Sequence, residues 1–310
     1  MLKFAKFQQT ITPIRCASSN LLKPPDLHKT NWKKDVVYLY QFKRSPILPN
    51  LSPYCLKVET FLRANNIKYE VNVVYLYQFK RSPILPNLSP YCLKVETFLR
   101  ANNIKYEPLM SYTVRSKYGK LPFIELNGQQ IADSDFILHY LMKYYKIDDG
   151  LTNEQRGIAR SLDRMLDQST ERTLRYFRIV ENIDNFMNPN VSGLPIPNFL
   201  MFLFKGRFQR TVLNQLKVEG TGKMKRDDII TILRKDLQAL NDILGDKKFL
   251  LGIRPTTCDF TTFGHLAATY YLPFRQPVTD LLDDEFPNLK QLIERMRLHY
   301  WSDWKRPDDK

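Results

Sequence analysis

The sequence predicts an α/β domain followed by an all-helical domain. The first prediction rests on residues 73–148, where strand and helix patterns alternate before a hairpin signal and a further helix. The second rests on residues 149–310, where the recognisable signals are helix starts and apolar positions at helical spacing. Composition agrees, because 310 residues suffice for two ordinary domains and 43% apolar residues are typical of a globular chain.

The α/β domain is expected to begin with a buried strand and a helix whose start is well marked. The stretch VVYLYQF at 73–79 is rich in β-branched and aromatic residues, as buried strands are. In the following SPYC sequence, Ser89 can accept hydrogen bonds from free backbone N–H groups, and Pro90 suits the first helical position. Apolar side chains then recur at helical spacing on one predicted face: Cys92, Val95, Phe98 and Leu99.

A second strand, a hairpin and another helix complete the predicted domain. The second strand is IKYEPLM at 104–110. The stretches LPFIEL and QQIAD then flank Asn127 and Gly128, the strongest short hairpin signal. Ser134 and Asp135 open the next helix. This order predicts a compact mixed sheet with helices on its faces.

Residues 36–70 recur letter for letter at 73–107. Repeat arrays drift at exposed positions, whereas here even the lysines and asparagines agree, which indicates a recent in-frame duplication or an error in the gene model. One strand and one helix cannot bury an apolar face alone, and only the second copy runs on into the hairpin. We therefore expect the second copy to occupy the sheet and the segment 36–72 to be surplus.

Residues 1–35 form a basic N-terminal tail. The first 25 residues contain no acid and carry Lys3, Lys6 and Arg15, a composition typical of a mitochondrial presequence. A basic tail on a cytoplasmic protein is the competing interpretation. We therefore expect a cytoplasmic protein, with mitochondrial targeting through residues 1–19 as the alternative.

Several function classes are excluded by composition and motif content. The net charge of +15 is spread over the chain without a recognition motif, so no nucleic-acid partner is expected, and the basic stretch 205–226 is interpreted as a solvated helical face and loop. Apolar runs fall short of the roughly 18 residues of a membrane span, so no transmembrane segment is predicted.

The four cysteines form no C-x-x-C pair, which indicates a reducing, intracellular compartment. The four histidines lack ligand spacing, so they are interpreted as satisfied surface or core residues, and no metal is expected.

The second half of the chain repeats one kind of helix start. Residues 152–155 form a predicted capping box, and residues 226–244 give a strongly periodic helix. Thr256 begins a similar signal in which Asp259 stands where a glutamate normally reaches back. We interpret Thr256 and Asp259 as a structural cap and not as catalytic residues.

Taken in order, these motifs resemble a known family. The stretches SPYCLKVETFLR, GKLPFIELNG and IADSDFI are similar to the thioredoxin-fold domain of glutathione transferases and, more closely, to the metaxin-related failed axon connections family. Residues 249–267 resemble the helical-domain motif of transferases, and residues 286–304 resemble the C-terminal end of that branch. The resemblance implies an α/β thioredoxin-like domain at 73–148 and an all-α glutathione S-transferase-like domain at 149–310.

The resemblance also implies a glutathione site at the helix start that contains Ser89. A hydroxyl donor and a helix N-terminus together stabilise a thiolate, which is the nucleophile in glutathione chemistry. Ser89 stands where several transferase classes place their activating serine or cysteine. Tyr77 of the first strand is the alternative activator, as in the tyrosine-type transferases.

Contacts for the rest of the tripeptide follow from the same resemblance. Leu121 precedes Pro122, where transferases place a cis-proline, and its backbone would pair with the cysteinyl part of glutathione. Asp133 and Ser134 would hold the ammonium and carboxylate of the γ-glutamyl end. Without a ligand, Ser89, Asp133 and Ser134 would be explained as ordinary helix caps.

Two functions are compatible with this resemblance. The first is a glutathione transferase-like protein that binds glutathione, as substrate or ligand, and conjugates it to electrophiles through a thiolate stabilised at Ser89. The second is a non-catalytic, metaxin-like adaptor that uses the fold for protein–protein contacts, in axon development or mitochondrial import. A protein partner or a homodimer is compatible with both.

Overall fold

The computed structural model describes residues 37–39, 53–65, 69–71, 74–126 and 129–306. The predictions for the tail at 1–35 and for the turn at Asn127 and Gly128 lie outside the described residues. The chain divides into two units, residues 1–71 and residues 72–310.

The first unit contains the first copy of the repeat. Strand β1 (Val37–Leu39) pairs in parallel with strand β2 (Tyr69–Val71), and helix α1 (Pro53–Ala64) connects them along the chain. Phe61 of α1 is exposed, whereas Leu62 is buried. The aromatic side chain of Phe61 is thus left in contact with solvent.

The second unit begins with a four-stranded mixed sheet in the order β4-β3-β5-β6. Strand β3 is parallel to β4 and antiparallel to β5, and β5 and β6 form an antiparallel hairpin. The second copy of the repeat, at 73–107, supplies β3, the following helix and the first two residues of β4. The elements are β3 (Val74–Gln78), α2 (Pro90–Ala101), β4 (Tyr106–Met110), β5 (Phe123–Leu126), β6 (Gln129–Ala132) and α3 (Ser134–Tyr145).

The elements that follow are helical. Residues 153–181 form one continuous helix in which α-helical segments, α4 (Asn153–Met165) and α5 (Glu171–Arg175), alternate with π-helical turns. The predicted helix over 226–244 is present with the same bounds as α9 (Arg226–Leu244). Within the described ranges, none of the helices combines the length and apolar character needed to cross a membrane. The other helices are α6 (Ile183–Phe186), α7 (Pro189–Ser192), α8 (Asn198–Val218), α10 (Thr257–Tyr270), α11 (Pro277–Asp280) and α12 (Pro287–Tyr300).

Helix α10 packs directly against helix α2. The approach is close because Gly264 of α10 faces the α2 backbone: a Cβ atom built on Gly264 would lie 2.5 Å from the Pro90 carbonyl oxygen and 3.0 Å from Lys94 Cβ. Helix α2 is therefore covered by α10 on one side and by the sheet on the other. Every residue from 92 to 99 is buried, including Lys94 and Glu96, whereas the sequence pattern predicted a single apolar face.

We expect Gly264→Ala to lower the free energy of unfolding by about 1–3 kcal/mol, because the added methyl group overlaps a backbone oxygen in a packed interface. Urea denaturation of the full chain measures the change. Gly157→Ala in α4 is the matched control, since a Cβ there meets nothing within 4 Å. It is expected to leave the stability unchanged or to raise it by up to about 1 kcal/mol. Equal losses in both variants would contradict the close packing of α2 and α10.

Candidate functional site

Three segments with predicted site residues meet at one end of the sheet. Tyr77 of β3 pairs with Phe123 of β5, which in turn pairs with Ala132 of β6. The start of α2, residues 121–122 before β5 and residues 133–134 after β6 therefore lie at the same end. Four buried side chains pack together there: Cys92, Leu121, Phe123 and Ala132.

Ser89 is the N-cap residue of helix α2. Its backbone is extended (φ −84°, ψ 119°), and its hydroxyl oxygen accepts a hydrogen bond from the Cys92 N–H at 3.4 Å. The Ser89 N–H donates to Asn87 Oδ1 at 3.0 Å, which fixes the cap residue from the loop side. The side chain is half-buried. The Ser89 oxygen is the acceptor in this cap, and the Ser89 hydroxyl also hydrogen-bonds to the Cys92 side chain.

Tyr77, the alternative activator, is engaged elsewhere. Its hydroxyl donates to Glu125 Oε2 at 2.9 Å, and its ring stacks on Phe123 with 4.2 Å between the ring centroids. A hydroxyl that already donates to a carboxylate must break that hydrogen bond before it can donate to a thiolate. Tyr77 would therefore have to give up an existing hydrogen bond in order to act as the thiol activator.

The other two segments have the backbone geometry that the resemblance implies. The peptide bond between Leu121 and Pro122 is cis, and both residues are buried. Asp133 caps helix α3: Oδ1 accepts from the N–H of Asp135 at 3.0 Å and of Phe136 at 3.5 Å. Asp133 is exposed and has a positive φ of 80°, which is uncommon for a residue other than glycine. Its carboxylate therefore faces the solvent at the N-terminus of a helix.

The Cys92 thiol is not available for chemistry. The side chain is fully buried, and this burial raises the pKa of Cys92 to about 12. A reactive cysteine requires the thiolate form at neutral pH, which a raised pKa removes. A thiol–disulfide function of the SPYC sequence is therefore disfavoured on physical grounds.

A buried cluster of charges lies behind the helix starts. Lys94 Nζ is 3.2 Å from Asp135 Oδ1 and 3.8 Å from Asp167 Oδ2, and the Lys94 side chain is fully buried. Arg160 also contacts the Asp135 carboxylate, and His265 Nε2 lies 2.9 Å from Asp167 Oδ1. These contacts join α2 to α3, to the helix at 153–181 and to α10. We call this set, with Asp163, the Lys94 cluster.

Electrostatic coupling favours the charged forms of Lys94 and Asp135. Burial alone would lower the pKa of Lys94, but the carboxylates of Asp167, Asp163 and Asp135 raise it above its ordinary value. Burial would raise the pKa of Asp135, but the Lys94 ammonium lowers it below its ordinary value. Asp163 differs, because burial raises its pKa despite the nearby ammonium.

In the described parts of the chain, no group of histidine, cysteine or carboxylate side chains is arranged to hold a metal ion.

A second buried carboxylate, Glu96, anchors the loop before α2. It accepts hydrogen bonds from Gln78 Nε2 and Arg81 Nη1, both at 2.7 Å, and from the Tyr106 hydroxyl at 2.9 Å. The indole N–H of Trp301 donates to Thr97 on the same helix at 2.9 Å. The loop at 80–89, the sheet and the C-terminal segment are thereby tied to α2.

Thr256 and Asp259 form a reciprocal capping box at the start of α10. Asp259 Oδ2 accepts from the Thr256 N–H at 2.8 Å and from its hydroxyl at 2.9 Å, while Oδ1 accepts from the Leu250 N–H at 2.8 Å. Asp259 is fully buried, and this burial raises its pKa to about 6 in spite of these donors. The pair is far along the chain from the helix starts of the candidate site and fixes the loop before α10.

Sequence patterns do not single out Lys94, Glu96 or Asp167. Charged residues within a helix normally face solvent, so the pattern places Lys94 and Glu96 on an exposed surface. The available signal is His265, a histidine within an apolar helical stretch, which the sequence analysis interpreted as a satisfied residue. The structure shows its partner to be Asp167.

Both halves of the second unit match families of known proteins. A glutathione S-transferase N-terminal domain family matches residues 90–185, and a glutathione S-transferase C-terminal domain family matches residues 233–296. "Failed axon connections" of Drosophila melanogaster is 35% identical over 292 residues. That alignment covers 90% of this chain and 61% of the relative, so the chain spans about three fifths of the relative's length.

Two further relatives are more distant. The isoprene-epoxide–glutathione S-transferase of Rhodococcus sp. (strain AD45) is 26% identical, over 82% of this chain and 94% of that protein. Human metaxin-2 is 24% identical, over 61% of this chain and 72% of that protein. One relative is thus named as an enzyme and the other as a metaxin.

Solved structures share the fold. A glutathione transferase from Phanerochaete chrysosporium aligns with a TM-score of 0.55 at 15% identity, and one from Ceriporiopsis subvermispora in complex with glutathione aligns with a TM-score of 0.53 at 17% identity. Each alignment covers 77% of this chain and 100% of the other. The predicted fold class, a thioredoxin-like α/β domain followed by an all-α domain, is confirmed.

Lys94→Met is expected to lower the free energy of unfolding by about 3–5 kcal/mol, because it leaves the Asp135 and Asp167 carboxylates buried without their shared cation. Chemical denaturation at neutral pH measures the loss. Lys290→Met is the matched control, since Lys290 forms a partly exposed ion pair with Asp283 at 2.9 Å. Loss of that pair should cost about 0–1 kcal/mol. A loss at Lys94 no larger than at Lys290 would show that the Lys94 cluster is not a structural anchor.

Asp259 is expected to give a characteristic pH dependence of stability. Its pKa is about 6 in the folded chain against an ordinary value of 3.8, so the folded state binds more protons between these values. The contribution of Asp259 to stability must therefore fall as the pH rises through this window. We would measure the difference in unfolding free energy between the unchanged chain and Asp259→Asn across this range. The unfolding free energy of the unchanged chain minus that of Asp259→Asn should fall as the pH rises. A value that rises with pH would contradict the assignment.

Proposed function

Because the chain belongs to the glutathione transferase-like superfamily, in the branch of failed axon connections and the metaxins, we propose that it binds glutathione where α2 and α3 begin. The observation that supports this best is the convergence of Ser89, Leu121–Pro122 and Asp133–Ser134 at one end of the sheet. In sequence these segments are separated by loops and strands, and only the fold unites them. The activity of the whole protein is likewise proposed here.

The proposed pose uses three kinds of contact. The Leu121 backbone before the cis peptide bond pairs with the cysteinyl residue of glutathione. The γ-glutamyl carboxylate lies at the N-terminus of α3 beside Ser134, where the helix dipole favours an anion. The exposed Asp133 carboxylate takes the γ-glutamyl ammonium, because opposite charges attract.

Ser89 then supplies the chemistry of the thiol. Its hydroxyl donates to the glutathione sulfur at the N-terminus of α2, and both the hydrogen bond and the helix dipole lower the pKa of that thiol. The thiol proton passes to solvent. The thiolate attacks an electrophilic carbon, so that a C–S bond forms while the leaving group, or the oxygen of an opened epoxide, departs with the bonding electron pair. Epoxide opening corresponds to the name of one relative, the isoprene-epoxide–glutathione S-transferase of Rhodococcus.

A non-catalytic adaptor is the second candidate. The observation that favours it is that Ser89 and Asp133 already have structural roles as helix caps, so the fold needs both side chains even without a ligand. Similarity to failed axon connections and metaxin-2 is compatible with this function. In this case the fold would present surfaces for a protein partner or for a second copy of the chain.

Asp133→Asn and Ser89→Asp separate capping from ligand binding, because asparagine and aspartate are good N-cap residues. Asparagine cannot neutralise the ammonium, and aspartate offers a negative charge instead of a hydroxyl proton. We expect Asp133→Asn to weaken glutathione binding about tenfold or more, as measured by isothermal titration calorimetry. We expect Ser89→Asp to raise the pKa of bound glutathione and to lower turnover of an aryl halide at neutral pH.

Ser52→Asp is the matched control, since Ser52 is the counterpart of Ser89 in the first copy of the repeat. It should change neither binding nor turnover. Binding without turnover would favour the adaptor. No binding by the unchanged chain would refute the glutathione site, as would equal affinity in Asp133→Asn.

A further inference from the structure

The first turns of helix α8 carry a group of large apolar side chains that face solvent. Phe202 is 80% exposed and Leu203 is 67% exposed, while Leu200 and Phe204 are each 43% exposed. We call these four residues the α8 patch. Apolar side chains of this size are usually exposed singly, so four within five positions indicate an interaction surface.

The α8 patch belongs to a helix that is packed on the body of the protein. Met201, Val212 and Leu216 point inward and are buried, which fixes the rotation of the helix about its axis. Phe208 is half-buried and stacks on Phe204 with 6.2 Å between the ring centroids. The α8 patch is therefore exposed although the helix is docked, because other residues of α8 already make the contacts with the body of the protein.

The surface next to the α8 patch is basic. Arg207 and Arg210 follow Leu203 by four and seven residues, so they continue the same outward face of the helix. Both are exposed, and no ion pair to either is found among residues 74–126 and 129–306. No aspartate or glutamate occurs from residue 185 to residue 218. The Asp184 carboxylate pairs with Lys205 of α8 at 3.0 Å, so Arg207 and Arg210 leave the surface next to the α8 patch with a net positive charge.

We propose that the start of α8 lies in the interface of an anionic lipid bilayer. Helices at such interfaces combine exposed aromatic and leucine side chains with lysine or arginine, as α8 does. Phe202 and Leu203 would enter the boundary between headgroups and acyl chains. Arg207 and Arg210 would keep their aliphatic stems near the apolar side chains and place their guanidinium groups on lipid phosphates.

Charge also argues against two other occupants of the patch. A symmetric contact with a second copy would bring Arg207 and Arg210 close to the same residues of that copy, and like charges repel. The N-terminal tail at 1–25 contains no acid, so it offers no complementary charge either. An anionic bilayer offers acyl chains to the apolar side chains and phosphate groups to the two arginines. The inference is independent of glutathione binding, since α8 carries none of the proposed glutathione contacts.

The test is co-sedimentation of the full chain with vesicles of phosphatidylcholine, with and without phosphatidylserine. The unchanged chain should bind the anionic vesicles and should be released by salt. Phe202→Ser with Leu203→Ser should weaken binding at least about tenfold, because both apolar side chains leave the interface. Arg207→Gln with Arg210→Gln should weaken it by about fivefold for each arginine and should reduce its salt dependence.

Two exposed residues outside the α8 patch provide matched controls. Val218, at the other end of α8, is 87% exposed, and Ile253 is 81% exposed. Val218→Ser and Ile253→Ser should bind vesicles as the unchanged chain does. Absence of vesicle binding, equal binding to neutral vesicles, or full binding by the Phe202 and Leu203 variant would overturn the proposal. A dimer in analytical ultracentrifugation that this variant dissociates would identify a second copy as the occupant and would also overturn it.

Discussion

The buried ammonium of Lys94 holds the two halves of the second unit in one arrangement. It reaches Asp135 at the start of α3 and Asp167 in the long helix at 153–181, and Asp167 reaches His265 of α10. Each charge is buried and depends on its partner, so displacing any of these helices would leave a carboxylate or an ammonium uncompensated. Gly264 supports this arrangement because it has no side chain, which lets α10 approach the α2 backbone closely enough to cover Lys94.

This arrangement has a direct consequence for the proposed glutathione site. Ser89 begins α2, five residues before Lys94, and Asp133 begins α3, two residues before Asp135. The ion pair between Lys94 and Asp135 therefore fixes the distance between the two helix starts that would hold the ligand. A site supported from behind in this way pays little ordering entropy on binding. The same rigidity would serve an adaptor equally well, since a fixed scaffold also presents a fixed surface.

The two proposed surfaces use different parts of the chain. The proposed glutathione site lies at the end of the sheet and consists mainly of backbone groups, helix N-termini and short polar side chains. The α8 patch lies on a helix of the second half and consists of aromatic, leucine and arginine side chains. A protein that binds a small thiol at one surface and an anionic bilayer at another would bring that thiol close to the membrane. Either function could also operate alone, because no described residue is shared between them.

Local signals in the sequence determined the elements and their order. Ser89 and Pro90 mark the start of α2, Asn127 and Gly128 between two strand-like stretches mark the hairpin, and the spacing over 226–244 marks α9, because each depends only on near neighbours. The family resemblance could likewise be read from ordered motifs. Tertiary structure decided the rest. Lys94 is buried because α10 covers it, and Glu96 is buried because Gln78, Arg81 and Tyr106 surround it, although the helix pattern assigns both to solvent. Phe202 is exposed because the inward face of α8 is already filled. Burial of a charge and exposure of an aromatic ring depend on partners distant in the chain, which local periodicity does not encode.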